Sequence, residues 1–421
     1  MKYGNIIFWS MVFETAFMFF LAKRASPASD VWQWLAQGTG VFGLFTLSWT
    51  YILAIRHSFI ERLFGGIDKQ YKLHHLLGGV SFLLLLHHPL LLILRQLPSN
   101  MLATYLLPGG IFSYTLGMIA LYVLILLIVL TLFVDMPYKL WKQTHEWMGI
   151  VIIFGAWHGL LVSSDMSTFL PLTIWMSAWS VIAIAAYLYK RFLYYSLFSA
   201  KRYVLEQLQW EHDVVVVTLR AKTEQDAIMF QSGQFGFLAF DHPKSVRHEH
   251  PFSVIAHEGD LVKFGIKVTG GFTLQLAQSQ IGTNILVRGP YGTFGQNIRA
   301  TPRMLWVAGG IGITPFVSLL SALQTHQQLT LILSVRGEGP RLLIQIVRQL
   351  VSHLPQVSFV VHDTQQAGRL TADRICSYVS VAPGMRVWLC GPQAMMHTLR
   401  DQLYELGIQK KHISFEDFSF R

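Results

Sequence analysis

Histidines recur in two apolar stretches of the chain at a spacing that could hold metal. The stretch from Lys72 to Leu92 carries two adjacent pairs: His74, His75, His87 and His88. A second apolar stretch has one histidine near each end, His145 and His158. Histidine is costly inside a membrane, and imidazole is a common axial ligand of haem iron. The pattern therefore predicts two b-type haems, each bound by one histidine from each stretch.

Helix geometry selects two of the four histidines in the first stretch. Gaps of 13 or 14 residues correspond to about 20 Å of helix rise, which suits one haem near each membrane face. A 14-residue gap returns to within about 40° of the starting face, whereas gaps of 12 and 13 residues miss it by about 120° and 140°. Only His74 and His88 are 14 residues apart, so we predict that they are the ligands and that their neighbours are structural. A distorted helix would let His75 or His87 replace one of them.

The second stretch needs a local distortion to supply the partners. His145 and His158 are 13 residues apart, so a regular helix would point them in different directions. A π-bulge or local unwinding would correct this. We predict that His145 pairs with His74 and that His158 pairs with His88. The alternative, interfacial histidines bonded to the backbone, leaves their matched depths on two helices unexplained.

The composition divides the chain into a membrane half and a polar half. Of the 421 residues, 52% are hydrophobic and only 13% are charged, whereas soluble domains carry about 25% charge. The apolar excess precedes residue 200, which predicts a transmembrane haem-binding domain over residues 1–195. Each crossing needs about 20 apolar residues. The six candidate spans are residues 6–22, 34–55, 73–94, 111–134, 146–163 and 169–189.

Basic residues predict which ends of the spans face the cytoplasm. Lys and Arg are concentrated after spans two, four and six, whereas the opposite loops hold only Lys23, Arg24 and Arg95. Both termini and the polar half are therefore predicted to be cytoplasmic, in an integral protein of the plasma membrane that contacts lipid. His74 and His145 then lie on the inner side. The net charge of +10 reflects these helix ends, so nucleic acid is not a predicted partner.

Short alternating strands begin at about residue 200 and predict a small antiparallel barrel over residues 200–300. Two motifs in it suggest that this domain binds FAD. The motif HPFS offers an aromatic ring and a hydroxyl that suit a flavin. Its residues are His250, Pro251, Phe252 and Ser253. The motif GGFT precedes a helical stretch and suits a pyrophosphate, through Gly270, Gly271 and Thr273. Taken alone, HPFS is a common strand start and GGFT is equally a plain helix cap.

Residues 301–421 alternate apolar strands with helical segments, which is typical of an α/β domain that binds a nucleotide. The segment VAGGIGITPF follows a strand and opens a helix, as a phosphate-binding loop requires. Its candidate residues are Gly309, Gly310, Gly312, Thr314 and Pro315. A later strand ends in LCGP, which places Cys390, Gly391 and Pro392 at the ligand-binding edge of the sheet. A buried structural role for Cys390 is equally open.

The end of the second strand in this domain indicates which nicotinamide coenzyme binds. Ser334 and Arg336 follow that strand, where the 2′-phosphate of NADPH would lie. No acidic residue occupies the strand end itself, although Glu338 lies close by in sequence. NADPH is therefore predicted, with NADH possible.

The order of these motifs resembles a known family. HPFS, GGFT, GPYG, GGIGITP, CGP and the terminal EDF occur in the order seen in the ferredoxin–NADP reductase superfamily. The apolar half, with LHHLLG and HHP, resembles a ferric reductase transmembrane domain. Together they resemble the NADPH oxidase and ferric reductase family of flavocytochromes, particularly its compact prokaryotic members. The implied architecture is a six-helix transmembrane bundle, then an antiparallel β-barrel FAD domain and an α/β nucleotide-binding domain.

The resemblance also implies roles for single residues. Phe252 and Ser253 would contact the isoalloxazine. Gly270 and Thr273 would meet the flavin pyrophosphate, and Gly310, Gly312 and Thr314 the phosphates of the nicotinamide coenzyme. Cys390 would lie beside the nicotinamide. Family members carry a C-terminal aromatic that stacks on the flavin; here it would be Phe418, with Phe420 as the alternative.

The implied activity is electron transfer from NAD(P)H through FAD and two haems to an acceptor across the membrane. Dioxygen, giving superoxide, is the predicted acceptor, and a ferric chelate is the alternative. Some oxygen-reducing members carry a histidine one turn beyond the outer ligand of the third span, where this chain has Leu92. An electron-delivery subunit for an extracytoplasmic partner protein is a further alternative, so a partner subunit stays open. Arg95 could pair with an outer haem propionate or could be a solvated loop charge.

Overall fold

A computed structural model of the chain describes residues 3–97, 105–162, 164, 168–197, 200–242, 249–296, 298–382 and 384–416. The chain divides into two compact units, Met1–Phe198 and Ser199–Arg421.

The first unit is a bundle of helices. They are α1 (Tyr3–Ala25), α2 (Val31–Leu53), α3 (Ser58–Phe64), α4 (Ile67–Arg95), α5 (Phe112–Leu132), α6 (Tyr138–Glu146), α7 (Met148–Leu161), α8 (Leu170–Leu188) and α9 (Tyr194–Leu197). A π-helical turn, Tyr189–Leu193, joins the last two. The most extensive helix packing is that of α2 along α4 and of α5 along α7, so two helix pairs form most of the bundle.

Four helices among the described residues are long and apolar enough to cross a membrane: α1, α4, α5 and the continuous helix Leu170–Leu193. Six spans were predicted, and the other two fall on α2 and α7. α2 has 23 residues, but its hydroxyl-bearing residues lower its apolarity. The hydroxyls of Thr46 and Ser48 donate to carbonyls of the preceding turn at 2.7 and 2.8 Å, so they are satisfied within the helix. α7 has only 14 residues.

The fifth predicted span is short because a break divides it from α6. Trp147 both ends α6 and precedes α7, with φ −72° and ψ −7°. On the other side of the break, the Tyr51 hydroxyl donates to the Met148 carbonyl at 2.5 Å. α8 packs closely there, because a Cβ on Gly149 would lie 2.1 Å from the Tyr187 ring. The distortion expected between His145 and His158 is therefore a helix break at one residue.

The second unit begins with a closed antiparallel barrel. Its strands are β1 (Lys201–Glu211), β2 (Val214–Ala221), β3 (Phe235–Phe240), β4 (His250–Glu258), β5 (Leu261–Lys267) and β6 (Asn284–Tyr291). They pair in the order β1-β2-β5-β4-β3-β6, and the ends meet because β1 pairs with β6. A short helix, α10 (Gly271–Ala277), lies between β5 and β6. Val215, Val217 and Leu219 of β2 point into the barrel core.

A parallel five-stranded sheet follows the barrel. Its strands are β7 (Arg303–Gly309), β8 (Gln328–Val335), β9 (Val357–Asp363), β10 (Arg386–Cys390) and β11 (Ile413–Glu416). Its helices are α11 (Thr314–Leu320), α12 (Arg341–Val351), α13 (Thr364–Ala367), α14 (Ala372–Tyr378) and α15 (Gln393–Glu405). The strand order is β11-β10-β7-β8-β9. It reverses between β7 and β10, the position where such sheets bind ligands.

The predicted fold class is confirmed for the polar half, which has the antiparallel barrel and the α/β domain. For the apolar half the structure confirms a helical domain with spans long enough for a membrane, but it identifies four of them where six were predicted.

Candidate functional site

The structure brings the four predicted metal ligands together in two pairs. The ring centroids of His74 and His145 are 6.1 Å apart, and those of His88 and His158 are 6.2 Å apart. Two imidazole nitrogens on opposite sides of one iron lie about 4 Å apart, and the ring centroids behind them about 6 Å apart. The pair spacing therefore fits one iron between each two rings.

Backbone carbonyls of neighbouring helices orient three of these imidazoles. The Nδ1 atom of His74 bonds to the carbonyl oxygen of Thr50 at 2.8 Å. His88 Nδ1 bonds to Ala36 O at 2.6 Å, and His158 Nδ1 bonds to Ser113 O at 2.7 Å. A carbonyl only accepts, so each Nδ1 carries the proton and each Nε2 keeps its lone pair for a metal.

The fourth imidazole, His145, is held differently. Among the described residues its buried Nδ1 makes no hydrogen bond. Its ring stacks on that of Trp141, with centroids 5.4 Å apart and planes 12° apart. Aromatic packing therefore orients His145, whereas hydrogen bonds orient the other three imidazoles.

The two remaining histidines of α4 lie outside these pairs. His75 and His87 are exposed, and the Nδ1 of His87 bonds to the Leu83 carbonyl of its own helix at 2.7 Å. The choice of His74 and His88 as ligands stays a prediction. Among the residues that the structure describes, no group of three or more metal-binding side chains occurs.

A cavity of about 460 Å³ surrounds the pair formed by His88 and His158. Its lining is mostly apolar and includes Leu92. Arg95 also lines it and donates through Nε to the Asp30 carboxylate at 2.7 Å. The Gln33 amide and the Arg95 guanidinium lower the pKa of Asp30, so the ion pair persists below neutral pH. Arg95 is thus held at the wall of this cavity.

The predicted flavin motif lies at the start of β4, next to an aromatic cluster. Ser253 is buried, whereas Phe252 is half-buried. The ring of Phe272, which the sequence analysis did not single out, stacks on His250 at 4.3 Å and on Phe252 at 6.0 Å. Phe272 is the third residue of GGFT, so an aromatic residue inside the predicted pyrophosphate motif was the sequence signal that could have identified it. Together these rings form an apolar surface that fits an isoalloxazine.

The predicted pyrophosphate motif is arranged around a helix cap. The Thr273 hydroxyl accepts from the amides of Thr269 and Gly270 at 2.9 and 3.1 Å. Thr273 is buried, while Gly270 and Gly271 are exposed. The amides of the first helical turn have no partner within the helix, so Gly271 and Phe272 are the groups that could meet an anion there. The role of Thr273 as a direct ligand stays a prediction.

The predicted coenzyme residues line one cleft of about 970 Å³ in the second unit. They are Gly309, Gly310, Gly312, Ser334, Arg336, Gly391 and Pro392. Gly310 has φ +54°, a left-handed conformation that favours glycine. A Cβ on Gly312 would lie 2.3 Å from the Cys390 carbonyl oxygen, so the loop needs glycine to pass the end of β10. Thr314 and Pro315 begin α11 and are buried behind this loop.

Charged residues from the barrel also line the cleft. His212 and Asp213, in the turn between β1 and β2, and Lys267 at the end of β5 face it. Asp213 pairs with Lys267 at 3.3 Å. The sequence analysis missed these three, because only the tertiary packing of barrel against sheet brings the turn to the coenzyme loop.

Glu338, which complicated the coenzyme prediction, is already paired. The Arg341 guanidinium donates to its carboxylate, and His212 Nε2 lies 3.7 Å from it. Arg336, in contrast, is exposed and has no ion-pair or hydrogen-bond partner among the described residues. The Arg336 guanidinium is therefore available to bind an anionic group in the cleft.

The two predicted catalytic residues are placed differently. Cys390 ends β10 and is fully buried, with its side chain in the core cluster of the sheet. Phe418, like its alternative Phe420, lies outside the described residues. Both roles stay predictions.

A buried ion pair stabilises the start of the flavin motif. Arg288 of β6 donates through Nε to Glu249, the residue before His250, at 2.5 Å, and both side chains are buried. Desolvating two charges is costly, and removing one of them leaves the other charged and buried.

We expect Arg288→Met to cost about 3–5 kcal/mol, which corresponds to a fall of roughly 6–20 °C in the unfolding temperature of the second unit. The double variant R288M/E249Q should recover much of this, because no uncompensated charge is left. Thermal unfolding of the purified chain followed by tryptophan fluorescence measures both. A double variant as unstable as the single one would contradict the ion-pair argument.

Comparison with known proteins follows the same division of the chain. Residues 39–156 match the model of the ferric reductase like transmembrane component, residues 204–295 that of an FAD-binding domain and residues 306–401 that of an oxidoreductase NAD-binding domain.

Individual relatives cover parts of the chain. Flavohemoprotein A of Dictyostelium discoideum is 30% identical over 34% of this chain and 37% of its own length. A superoxide-generating NADPH oxidase heavy chain of the same organism is 31% identical over 40% of this chain and 35% of its own. The crystal structure of a Malassezia yamatoensis flavohemoglobin with bound FAD and haem is 17% identical, with a TM-score of 0.54 over 96% of this chain and 99% of that one, a likeness of fold alone. The chain spans 37–60% of the length of the first curated relatives it matches.

Proposed function

We propose that the chain, which carries a ferric reductase like transmembrane component, an FAD-binding domain and an oxidoreductase NAD-binding domain, is a membrane oxidoreductase of the NADPH oxidase and ferric reductase family and moves electrons across a membrane. It takes them from NAD(P)H on the cytoplasmic side and passes them, by way of FAD and two b-type haems, to an acceptor on the other side. The observation that carries this proposal is the pairing of His74 with His145 and of His88 with His158.

The histidine pairs would hold two haems at different depths of the bilayer. His74 and His88 are 14 residues apart on α4, which corresponds to about 20 Å along the helix axis. When bound, the haem irons and the flavin supply the one-electron and hydride chemistry that the proposal needs. The histidines would hold the irons and set the orientation of the ligands, and the mostly apolar cavity around the outer pair would limit the access of water to that site.

We assign six membrane crossings to the first unit. One haem bound between α4 and α6 and another between α4 and α7 require α4 and the α6–α7 segment to cross, so this segment acts as one span with a break. α2 would cross as well, because it packs along α4 and satisfies its own hydroxyls. The basic residues after spans two, four and six then favour a cytoplasmic location for both termini and the second unit.

The second unit would bind the electron donor and the flavin. The HPFS segment and Phe272 offer a surface for the isoalloxazine, and the cleft between barrel and sheet accepts the coenzyme. Cys390 and Phe418 would arrange the nicotinamide and the flavin for hydride transfer. Arg336 favours NADPH, because its guanidinium is open while Glu338 and Asp213 are paired.

Dioxygen, reduced to superoxide, is the acceptor that we propose. The cavity beside His88 and His158 is apolar, as a small neutral acceptor requires. Leu92 in its wall removes a polar contact found in some oxygen-reducing relatives, so a ferric chelate is the second candidate. Delivery to a partner protein is the third, and it predicts little turnover with either small molecule.

The haem proposal is tested by spectroscopy of the purified chain. Addition of NADPH should give a reduced-minus-oxidised spectrum of b-type haem, with two haems and one FAD per chain. Lack of any haem absorbance in protein purified with its FAD would end the proposal.

The acceptor is tested with a cytochrome c reporter in the presence and absence of superoxide dismutase. Reporter reduction that the dismutase suppresses selects dioxygen. Reduction of a ferric chelate under nitrogen, with no dismutase-sensitive turnover in air, selects the ferric reductase. Haem reduction with neither turnover selects delivery to a partner protein.

The ligand assignment is tested by replacing single histidines. His74→Leu and His145→Leu should each lower the haem content from two to one, because each removes one ligand of the same site. His75→Leu is the matched control and should keep both haems, since His75 is exposed. Haem loss in the control with retention in His74→Leu would show that the angular assignment is wrong.

The coenzyme preference is tested at Arg336. Arg336→Ala should raise KM for NADPH by about 10-fold and leave that for NADH unchanged, because a charge-assisted contact to the 2′-phosphate is lost. Arg348→Ala, which removes an exposed arginine of α12, is the control. Equal changes with both coenzymes would place the 2′-phosphate elsewhere.

A further inference from the structure

Two glycines face the outer histidine pair from neighbouring helices. A Cβ on Gly40 of α2 would lie 2.9 Å from His88 Nδ1, and a Cβ on Gly117 of α5 would lie 2.8 Å from His158 Nδ1. Both distances are shorter than the contacts that real Cβ atoms make. Each imidazole therefore occupies the space that a side chain would fill.

The same two imidazoles bond to carbonyls placed one turn before the glycines. His88 Nδ1 bonds to Ala36 O, four residues before Gly40. His158 Nδ1 bonds to Ser113 O, four residues before Gly117. In a regular helix the carbonyl of residue i−4 accepts from the amide of residue i, so each imidazole adds a second hydrogen bond to a carbonyl already in the helix ladder.

The same arrangement of carbonyl, imidazole and glycine thus occurs on both α2 and α5. At these two carbonyls the ring lies where the residue one turn later would carry its Cβ, so that residue must leave room for the ring. Glycine leaves that room. The inner pair lacks the arrangement: four residues after Thr50, the acceptor of His74, comes Ala54 at the end of α2, and His145 Nδ1 has no bond among the described residues.

We propose that Gly40 and Gly117 are positioning residues for the outer haem. They let the rings of His88 and His158 pack against α2 and α5, so that each Nδ1 proton is donated to a carbonyl and each Nε2 is aimed at the iron. The proposal rests on the proposed function, because it assigns the glycines to one of its two haems. Hydrogen bonds of this second layer are worth about 10- to 100-fold in metal affinity.

The test is the haem content of the full chain with single alanines. Gly40→Ala and Gly117→Ala should each lower it from two haems to about one, or leave a second haem that dissociates about 10- to 100-fold more readily. Gly79→Ala is the matched control on α4. It should keep two haems, because Gly79 is exposed and a Cβ there would meet nothing within 4 Å.

Double variants identify which haem is affected. Gly40→Ala combined with His74→Leu should lose both haems, whereas Gly40→Ala combined with His88→Leu should retain one. A redox titration gives a second readout: a haem that stays in Gly40→Ala or Gly117→Ala should titrate at a higher potential, because its ligand has lost the Nδ1 hydrogen bond and is less basic.

The outcomes separate this inference from the proposed function. No haem in the unaltered chain would refute the proposed function itself. Two haems in the unaltered chain with unchanged content and potentials in both alanine variants would overturn the inference alone. Loss of the inner haem together with the outer one would also overturn it, because the glycines would then be general packing residues of the bundle.

Discussion

The hydrogen bond from a histidine Nδ1 to a carbonyl of a neighbouring helix is the interaction on which the membrane half depends. In an apolar bundle an imidazole N–H without an acceptor is costly, and helix backbones are the nearest acceptors. Both histidines of α4 that face the bundle use α2 for this purpose, and His158 of α7 uses α5. The two most extensive helix contacts, α2 with α4 and α5 with α7, are thus also the contacts that orient the candidate ligands.

The helix break at Trp147 is explained by the orientation that the candidate ligands need. A straight helix cannot aim His145 and His158 at one partner helix, because 13 residues leave them about 140° apart. Dividing the segment into α6 and α7 removes this conflict but frees backbone groups at the junction. Tyr51 offsets part of that cost by donating to the Met148 carbonyl, and Gly149 lets α8 pack against the junction. The residues around Trp147 therefore serve the geometry of histidines at both ends of the segment.

Sequence periodicity was enough to predict the barrel, the parallel sheet and the separation of His74 and His88 from their neighbours, because strands, helices and helix angle are local properties. It was not enough for the number of apolar spans. α2 carries glutamine and hydroxyl side chains among its apolar residues, and the bonds of Thr46 and Ser48 to carbonyls of their own helix are seen only in the structure. The acceptors Ala36 and Ser113 could not be predicted either, since they depend on which helix packs beside which.

In the polar half, as in the apolar half, most polar groups around the candidate site are bonded to other protein groups. Around the coenzyme cleft Asp213 pairs with Lys267, and Glu338 pairs with Arg341. Arg336 is left with an open guanidinium. In the bundle the Nδ1 atoms of three histidines are bonded, and their Nε2 atoms are left for a metal. In the bundle, an open nitrogen shielded from water costs free energy unless a ligand binds it, whereas the exposed guanidinium of Arg336 is open to an anionic ligand as well as to water. The residues that we assign to coenzyme and haem are therefore selected by the pairing of their neighbours as much as by their own chemistry.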